Sequence, residues 1–502
     1  MVSRVSRHAL FVAPIRGRSQ NQHRAQVKTT LLALSVVLLT TGLFAPPDAH
    51  AAAARPPNVV VILTDDQGFA DISFNPHHPK EVSTPHLDAL AREGVWFSQG
   101  YITGNVCSPT RAGLLTGRYQ QRAGVYTAGE GGRGIAQAEK IFPSFLKPAG
   151  YTTAAYGKWH LGLTLEQSPV GRGFDHWYGF LGRGGHDYFD LAQNDPDNGP
   201  MYRDGKEIKD SGYLTTRLTD EAVAFIAQHK ARPFYIHLAY NAVHSPAQAP
   251  AEDIARFKQQ FPDITEARAI LMAMLYHLDL GVGRVVDTLK KEGVWENTLL
   301  FFLTDNGGSR AMSAVNTPLR GAKQQNYEGG IRTPFIVAWP AGFKGGRVID
   351  TPVSSLDILP TALDAARVPL PSDKPFDGKS LLPLLTGKTQ QHIGTFYWSE
   401  GGEVGGFAVR SGDWKLVQQR GQAKVELFNL AKDPAETTDL APQNAAKVAE
   451  LSKLYDAWLD QMAAPLSGAP KRPGAQAAGG GKKSKAEKRK ARDEDRAKKK
   501  EN

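Results

Sequence analysis

The sequence predicts an α/β protein: a large mixed, mostly parallel sheet flanked by helices on both faces, plus a smaller C-terminal antiparallel sheet packed with a helix. Three observations predict it. Residues 58–64 (NVVVILT) and 298–304 (TLLFFLT) are unbroken apolar runs, the pattern of strands covered on both faces. Helical periodicity alternates with strand patterns from residue 58 to 339, the order that builds parallel sheets with crossover helices. From about residue 390 the pattern shortens to strand-length segments at 406–410, 414–418 and 425–430, closed by a helix over about 444–462.

Taken in order, the first strand ends in Asp65 and Asp66. Adjacent acids ordinarily mark a solvated loop, but ligands of open α/β sheets bind beyond the carboxyl ends of strands, so this pair is a candidate cation site. Thr84 as cap, Pro85 in the first turn, the Leu87, Leu90 and Ala91 face and Gly94 at the stop predict a helix. An extended segment, 95–101, leads into Cys107-Ser108-Pro109-Thr110-Arg111. With Ser108 as N-cap and Pro109 at the first helical position, the chain's single cysteine would sit just ahead of a helix N-terminus. There it is either a low-pKa thiolate or a small buried hydrophobe.

A Gly-rich loop near 128–134 precedes a strand at 151–156 that ends in Gly157-Lys158-Trp159-His160. The spacing of Lys158 and His160 points both to one side of an extended segment. Residues 173–190, with His176 and Gly184-Gly185-His186, are aromatic and Gly-rich and predict a substrate-lining loop. A helix at 213–229 and a strand at 233–240 lead to the exit Asn241-Ala242-Val243-His244-Ser245-Pro246. His237, inside that strand, is assigned to packing. Residues 265–292 predict one long helix with Leu271, Met274, Leu275, Leu278 and Val282 as its buried stripe and Gly293 as its end. The second apolar strand then delivers Asp305-Asn306-Gly307, repeating the plan of the first: apolar run, threonine, oxygen donors. A strand at 335–339 follows Arg320-Gly321-Ala322-Lys323.

The formal charge of +10 belongs to the ends of the chain. Residues 471–502 carry +8 and residues 1–51 carry +5, which leaves −3 between them. A nucleic-acid partner is therefore not expected. Arg4 to Lys28, the apolar run 31–44 and Ala49-His50-Ala51 form a secretory signal pattern, with an uncleaved anchor as the alternative; the protein is expected to be exported, periplasmic or secreted. Four segments result: a signal peptide at 1–51, a catalytic domain at 52–389, a C-terminal subdomain at 390–466 and a disordered basic tail at 467–502. The tail reads as solvated, with contact to an anionic polymer or envelope surface as its other use.

These motifs together resemble the sulfatase family. They are the paired aspartates, Cys107-x-Pro-x-Arg111 followed by Thr116-Gly117, Gly157-Lys158-Trp159-His160-Leu161-Gly162, the His244-x-Pro turn, Asp305-Asn306-Gly307, and Arg320-Gly-x-Lys323 before Tyr327-Glu-Gly-Gly. The resemblance spans residues 58 to about 462. It implies that a formylglycine-generating enzyme oxidises Cys107 to formylglycine, whose hydrated aldehyde supplies the nucleophilic oxygen. It also implies that Asp65, Asp66, Asp305 and Asn306, with an oxygen from modified Cys107, bind Ca²⁺ or Mg²⁺. Arg111 would orient the formylglycine, while Lys158, His160, His244 and Lys323 surround the sulfate. His186 is a further sulfate contact by the same resemblance, although Gly185 stands where some arylsulfatases have a serine.

The chemistry follows from the anionic ester. Negative charge on the equatorial oxygens must be neutralised before attack, which one divalent ion, two lysines and an arginine do. The leaving alcohol needs a proton, from His244 or Lys323, and His160 is the candidate base for releasing sulfate from the modified residue. The expected substrate is a sulfated small molecule or polysaccharide: a sulfated carbohydrate, given the expected export, the acidic body and a loop at 173–190 that resembles that of carbohydrate sulfatases, with a simple aryl or alkyl sulfate as the alternative. The competing reading is a phosphonate monoester hydrolase or phosphodiesterase of the same superfamily, whose substrates share the tetrahedral shape.

Overall fold

The computed structural model describes residues 55–182, 184–193, 199–402 and 405–468; the signal pattern and the basic tail beyond 468 lie outside them. Asn58–Thr64 runs through the middle of a ten-stranded sheet. Thr298–Thr304 pairs with it on one side, and Phe234–Ala239, Thr152–Lys158 and His176–Phe180 follow in succession on the other. These five strands are parallel. Antiparallel pairing begins only toward the edges, where Phe335–Ala338 joins Thr298–Thr304 and Met201–Arg203 joins His176–Phe180. The mixed, mostly parallel sheet is as expected.

Both faces of the central strands are covered. Val59, Val61 and Leu63 share a core with Leu114 and Leu115 of the Cys107–Thr116 helix, and with Leu359 and Leu363 of Ile358–Ala365. Val60 and Ile62 point the other way, into Leu271, Met274 and Leu278 of the long Glu266–Lys291 helix and Leu218 of Leu214–His229. A two-residue alternation with no polar member is what burial on both faces demands. Each such side chain contributes about 1.5–3 kcal/mol by leaving water.

Several elements differ from expectation. His176–Phe180, read as loop, is a fully paired strand, because its aromatic residues fit a pleated buried surface and Gly179 admits the neighbouring backbone: a Cβ there would lie 2.0 Å from the Gly157 carbonyl oxygen. The segment 95–101 divides: Val95–Phe97 enters the main sheet, while Gly100–Tyr101 pairs with Val353–Ser354. Cys107 is the first residue of its helix, with extended Val106 as the cap, so it lies within the helix rather than ahead of it. Ser108 does not cap; its hydroxyl donates to the His160 carbonyl at 2.9 Å. Thr84 does precede the Pro85–Glu93 helix, but its hydroxyl is engaged by Ser73 and Asp88. The open N–H groups of His86 and Leu87 go instead to the Asp279 carboxylate, at 3.1 and 2.8 Å, from the long helix. Ala251–Gln260 is a further helix, with Phe257 as its one buried residue.

The C-terminal sheet has four antiparallel strands: Thr395–Ser399, Phe407–Ser411, Trp414–Gln418 and Glu426–Asn429. The first was not read as a strand from the sequence. Ala445–Leu459 packs Leu451, Tyr455 and Trp458 against Phe407, Val409 and Leu416 on one face. The other face sends Phe396, Trp398 and Phe428 into the main core. A buried ion cluster ties the same joint: the Lys415 ammonium lies 2.9 Å from Glu328 and 2.8 Å from Glu436.

Candidate active site

Four adjacent parallel strands end at one level. Thr64 is in register with Thr304, Leu63 with Ala239, and Ala239 with Gly157. The residues that follow therefore meet on one rim, the place where open α/β sheets bind ligands. Backbone bonds fix them there: Asp305 N–H donates to the Thr64 carbonyl and Asp65 N–H to the Ala242 carbonyl, each at 3.0 Å. The first turn of the Cys107–Thr116 helix opens onto this rim. Sequence reasoning assigned two strand tips to the cation; the structure brings four to the site.

Arg111 holds the floor together. Its Nε donates to Asp305 Oδ2 at 2.9 Å, Nη1 to the Lys158 carbonyl at 2.8 Å and Nη2 to Asp65 Oδ2 at 3.3 Å. Lys158 Nζ also reaches Asp65 Oδ2, at 2.5 Å. Asp66 Oδ1 accepts from Lys323 Nζ at 2.6 Å and from Asn306 Nδ2 at 2.7 Å. Each pair uses one oxygen and leaves another. Asp65 Oδ1, Asp305 Oδ1 and Asn306 Oδ1 are buried with no hydrogen-bond partner. One ligand atom each from Asp65, Cys107 and Asp305 lie within 4.8 Å of one another, as do atoms of Asp65, Asp66 and His244.

A buried unpaired oxygen is costly, and two carboxylate oxygens and one amide oxygen together fit a hard divalent cation that would satisfy them at once. Oxygen donors without a deprotonated thiol suit Ca²⁺ or Mg²⁺ better than a softer ion. Electrostatics agree. Burial pushes the Asp65 carboxyl up, yet the Lys158 and Arg111 charges outweigh it and hold Asp65 well below the usual carboxylate range. Burial and the Asp65 charge raise Asp305 to about 7, although Arg111 opposes them. Burial likewise raises the Cys107 thiol against the pull of Lys158 and Lys323, so this cysteine is not an activated thiolate.

Comparison with known proteins agrees with this geometry. The family model described as Sulfatase matches residues 57–368. The chain belongs to the sulfatase family. A second model, described as N-sulphoglucosamine sulphohydrolase, C-terminal, matches residues 322–463 of this sulfatase. The sulfatase is similar to mouse N-acetylgalactosamine-6-sulfatase, with 32% identity over 83% of this chain and 80% of the relative. It is also similar to the uncharacterized sulfatase YdeN of Escherichia coli K12, at 34% over 66% of this chain and 67% of the relative. Among solved structures, Ps i-CgsB in complex with k-i-k-neocarrahexaose superimposes with a TM-score of 0.76 at 34% identity, covering 82% of this chain and 94% of that one. A phosphonate monoester hydrolase of Agrobacterium radiobacter, at 20% identity and a TM-score of 0.60 over 83% and 100% of the two chains, shares the fold.

Three of the sulfatase's histidines have different environments. His160 is buried with both ring nitrogens unpartnered, and burial with the Lys158 and Arg111 charges holds it well below the usual histidine range, so the ring is neutral. Its backbone has φ 56, which breaks the strand alternation by which it was expected to share a side with Lys158. His244 Nδ1 lies 2.8 Å from the Ser245 carbonyl oxygen. A carbonyl only accepts, so Nδ1 carries the proton and the neutral ring turns a lone pair on Nε2 toward Asp66, 3.8 Å away. His186 is buried against Phe180, bonds the Asp187 carbonyl through Nδ1, and is not among the residues lining the site's cavity. Its own carbonyl accepts from Asn241, so it braces the turn that carries His244. Gly185 has a steric reason to lack a side chain: a Cβ there would lie 1.9 Å from the Ser245 carbonyl oxygen.

The site opens into a cavity of about 510 Å³ above Asp66, His244 and Lys323. Its mouth includes Ser245, Ser309, Gln324 and Gln325, none of which carried a catalytic signal in the sequence. Their proximity in space is set by long-range packing and could not be read from spacing.

Proposed function

We propose that this sulfatase is exported and hydrolyses a sulfate ester of a carbohydrate, using formylglycine made from Cys107 and a Ca²⁺ or Mg²⁺ ion. The observation that carries the reading is the trio of buried, partnerless oxygens on Asp65, Asp305 and Asn306, beside Cys107 and ringed by Arg111, Lys158 and Lys323. Asp65, Asp66, Asp305 and Asn306 would hold the ion, which, when bound, neutralises ester oxygens while the modified residue provides the nucleophile. Lys158 and Lys323 stabilise the anionic group of the substrate, and Arg111 fixes the first turn of the Cys107 helix against both aspartates. His244 and Lys323 are the two candidate acids: Lys323 carries a proton that the surrounding negative groups hold tightly, whereas His244, held neutral by burial, would have to take up a proton at Nε2 before giving it. His160, neutral and with both ring nitrogens free of partners, serves as the base.

Carbohydrate is supported by two observations. The amide and hydroxyl groups that line the cavity, on Ser245, Ser309, Gln324 and Gln325, suit a hydroxyl-rich ligand. The solved relative at 34% identity is in complex with neocarrahexaose, and the mouse relative is an N-acetylgalactosamine-6-sulfatase. The test pairs intact mass with sulfate release. Oxidation of the thiol to the aldehyde removes about 18 Da by its bond chemistry, and active protein should show that loss in the peptide containing Cys107. Full activity with an unmodified thiol would overturn the mechanism. Faster turnover of an aryl phosphonate than of any sulfated saccharide or aryl sulfate would overturn the substrate class.

A further inference from the structure

Arg310 stands apart from the other charged side chains of the cavity. Asp66 and Lys323 are paired at 2.6 Å, and His244 is 3.8 Å from Asp66. Arg310 lines the same cavity, is exposed, and makes no side-chain hydrogen bond or ion pair among the described residues. Its backbone is nevertheless held firmly. It begins the short turn Arg310–Met312, in which Met312 N–H donates to the Ser309 carbonyl at 3.1 Å and Ser313 N–H to the Arg310 carbonyl at 3.0 Å. Met312 is buried in the core, and the Asn316 side-chain amide clamps the preceding Gly308, its Oδ1 accepting from the Gly308 N–H at 2.9 Å and its Nδ2 donating to the Gly308 carbonyl at 3.1 Å. The turn leaves the Asp305-Asn306 strand tip directly, so a fixed backbone carries an uncommitted guanidinium at the cavity wall.

A free surface arginine is ordinarily just solvated. This one lies beside an anion site, on a chain whose body carries net negative charge, where no neighbouring carboxylate has claimed it. A guanidinium presents a planar fork that matches a carboxylate or sulfate with two parallel bonds. We propose that Arg310 is a specificity residue that reads a second anionic group, a sulfate or a carboxylate, on the same substrate whose scissile sulfate enters the floor of the site. The inference rests on the carbohydrate sulfatase reading and narrows it to substrates with at least two negative groups.

The test is competition against turnover of 4-nitrophenyl sulfate, comparing the parent with Arg310→Gln and Arg310→Lys. Three competitors separate the sources of the second charge: N-acetylgalactosamine 6-sulfate, N-acetylgalactosamine 4,6-disulfate, and a uronate-containing disaccharide with a single 6-sulfate. The parent should bind one of the two-anion ligands at least about tenfold more tightly than the monosulfated sugar, the scale of one charge-assisted bidentate contact. Arg310→Gln should reduce that preference to within about twofold, with Arg310→Lys intermediate. The arm that responds identifies sulfate or carboxylate. A parent with no preference, or a preference that survives in Arg310→Gln, overturns the inference. Release of inorganic sulfate from the saccharides is measured separately: competitors that bind with the Arg310-dependent preference but are never hydrolysed would sink the carbohydrate substrate reading and leave the anion contact standing.

Discussion

Arg111 Nε donates to Asp305 Oδ2 at 2.9 Å and leaves Asp305 Oδ1 buried and partnerless, in a carboxylate that lies within 4.8 Å of the sulfur of the single cysteine, Cys107. The guanidinium serves three acceptors at once, from Asp305, Asp65 and the Lys158 carbonyl. Lysine has the charge without the fork and cannot span them. Arg111→Lys is therefore expected to lower kcat/KM for a sulfate ester by about 100- to 1,000-fold, the scale seen when a preorganised charge contact is lost. Steady-state kinetics on 4-nitrophenyl sulfate checks it; a loss of less than about fivefold would mean that the arginine only packs.

Removal of divalent ions provides the second expectation. Three unsatisfied oxygens in a dry site are a local cost that a bound ion relieves, so an ion that binds only the folded state stabilises it, by about 2.7 kcal/mol at 100 times its Kd. Dialysis against a chelator should lower the melting temperature, and Ca²⁺ or Mg²⁺ should restore it. In Asp305→Asn the ion-dependent part of the shift should shrink. Calorimetry with and without the ion reads this independently of turnover, and identical melting curves would remove the cation from the account.

The sequence made the central strands and the rim residues legible because both obey local rules. The two apolar runs match the observed strands at 58–64 and 298–304 to the residue, and Asp65, Asp66, Asp305, Asn306 and Lys158 do meet. What stayed hidden depends on distant partners. Thr84 looks like a cap, and only the long helix reveals that Asp279 does the capping. Ser108 has cap chemistry too, but the His160 carbonyl competes for its hydroxyl. The aromatic strand at 176–180 has no alternation to distinguish it, since both its faces are covered. Nothing in local sequence marks Arg310, whose significance lies in the partners it lacks.

The buried cluster around Lys415 makes a third expectation. Its ammonium is fully buried between Glu328 and Glu436, while Glu328 also receives the Tyr101 hydroxyl at 2.5 Å. Burial raises Glu436 to about 7, whereas Lys415, Arg332 and Arg410 overcome burial to hold Glu328 below its usual range. Lys415→Met removes the shared cation and leaves two acids facing each other without water. Breaking a buried pair in this way costs about 3–5 kcal/mol. Urea unfolding at neutral pH should show a loss of that size, and a loss below about 1 kcal/mol would mean that the neighbouring arginines suffice.

Asp279 supplies a pH-dependent expectation. Its carboxyl is buried and raised to about 6, because burial outweighs the two backbone N–H bonds and the nearby His86, with Asp88 adding to the rise. The sign follows from linkage: a folded-state pKa above the unfolded value of about 3.9 means that the fold favours the protonated acid. Its stabilising contribution is complete below about pH 4 and is lost as pH rises through 6. Asp279→Asn cannot ionise, so the stability of the variant minus that of the parent should rise across this window and level off above it. Taking the difference cancels the titrations of groups that do not interact with Asp279. Asparagine keeps one carbonyl oxygen for the N–H groups of His86 and Leu87, so the weaker cap shifts the whole difference curve downward without changing its slope. Chemical unfolding of both proteins from pH 4.5 to 8 measures the slope directly, and a flat difference would show that Asp279 stays ionised in the folded protein throughout, its cap bonds outweighing burial.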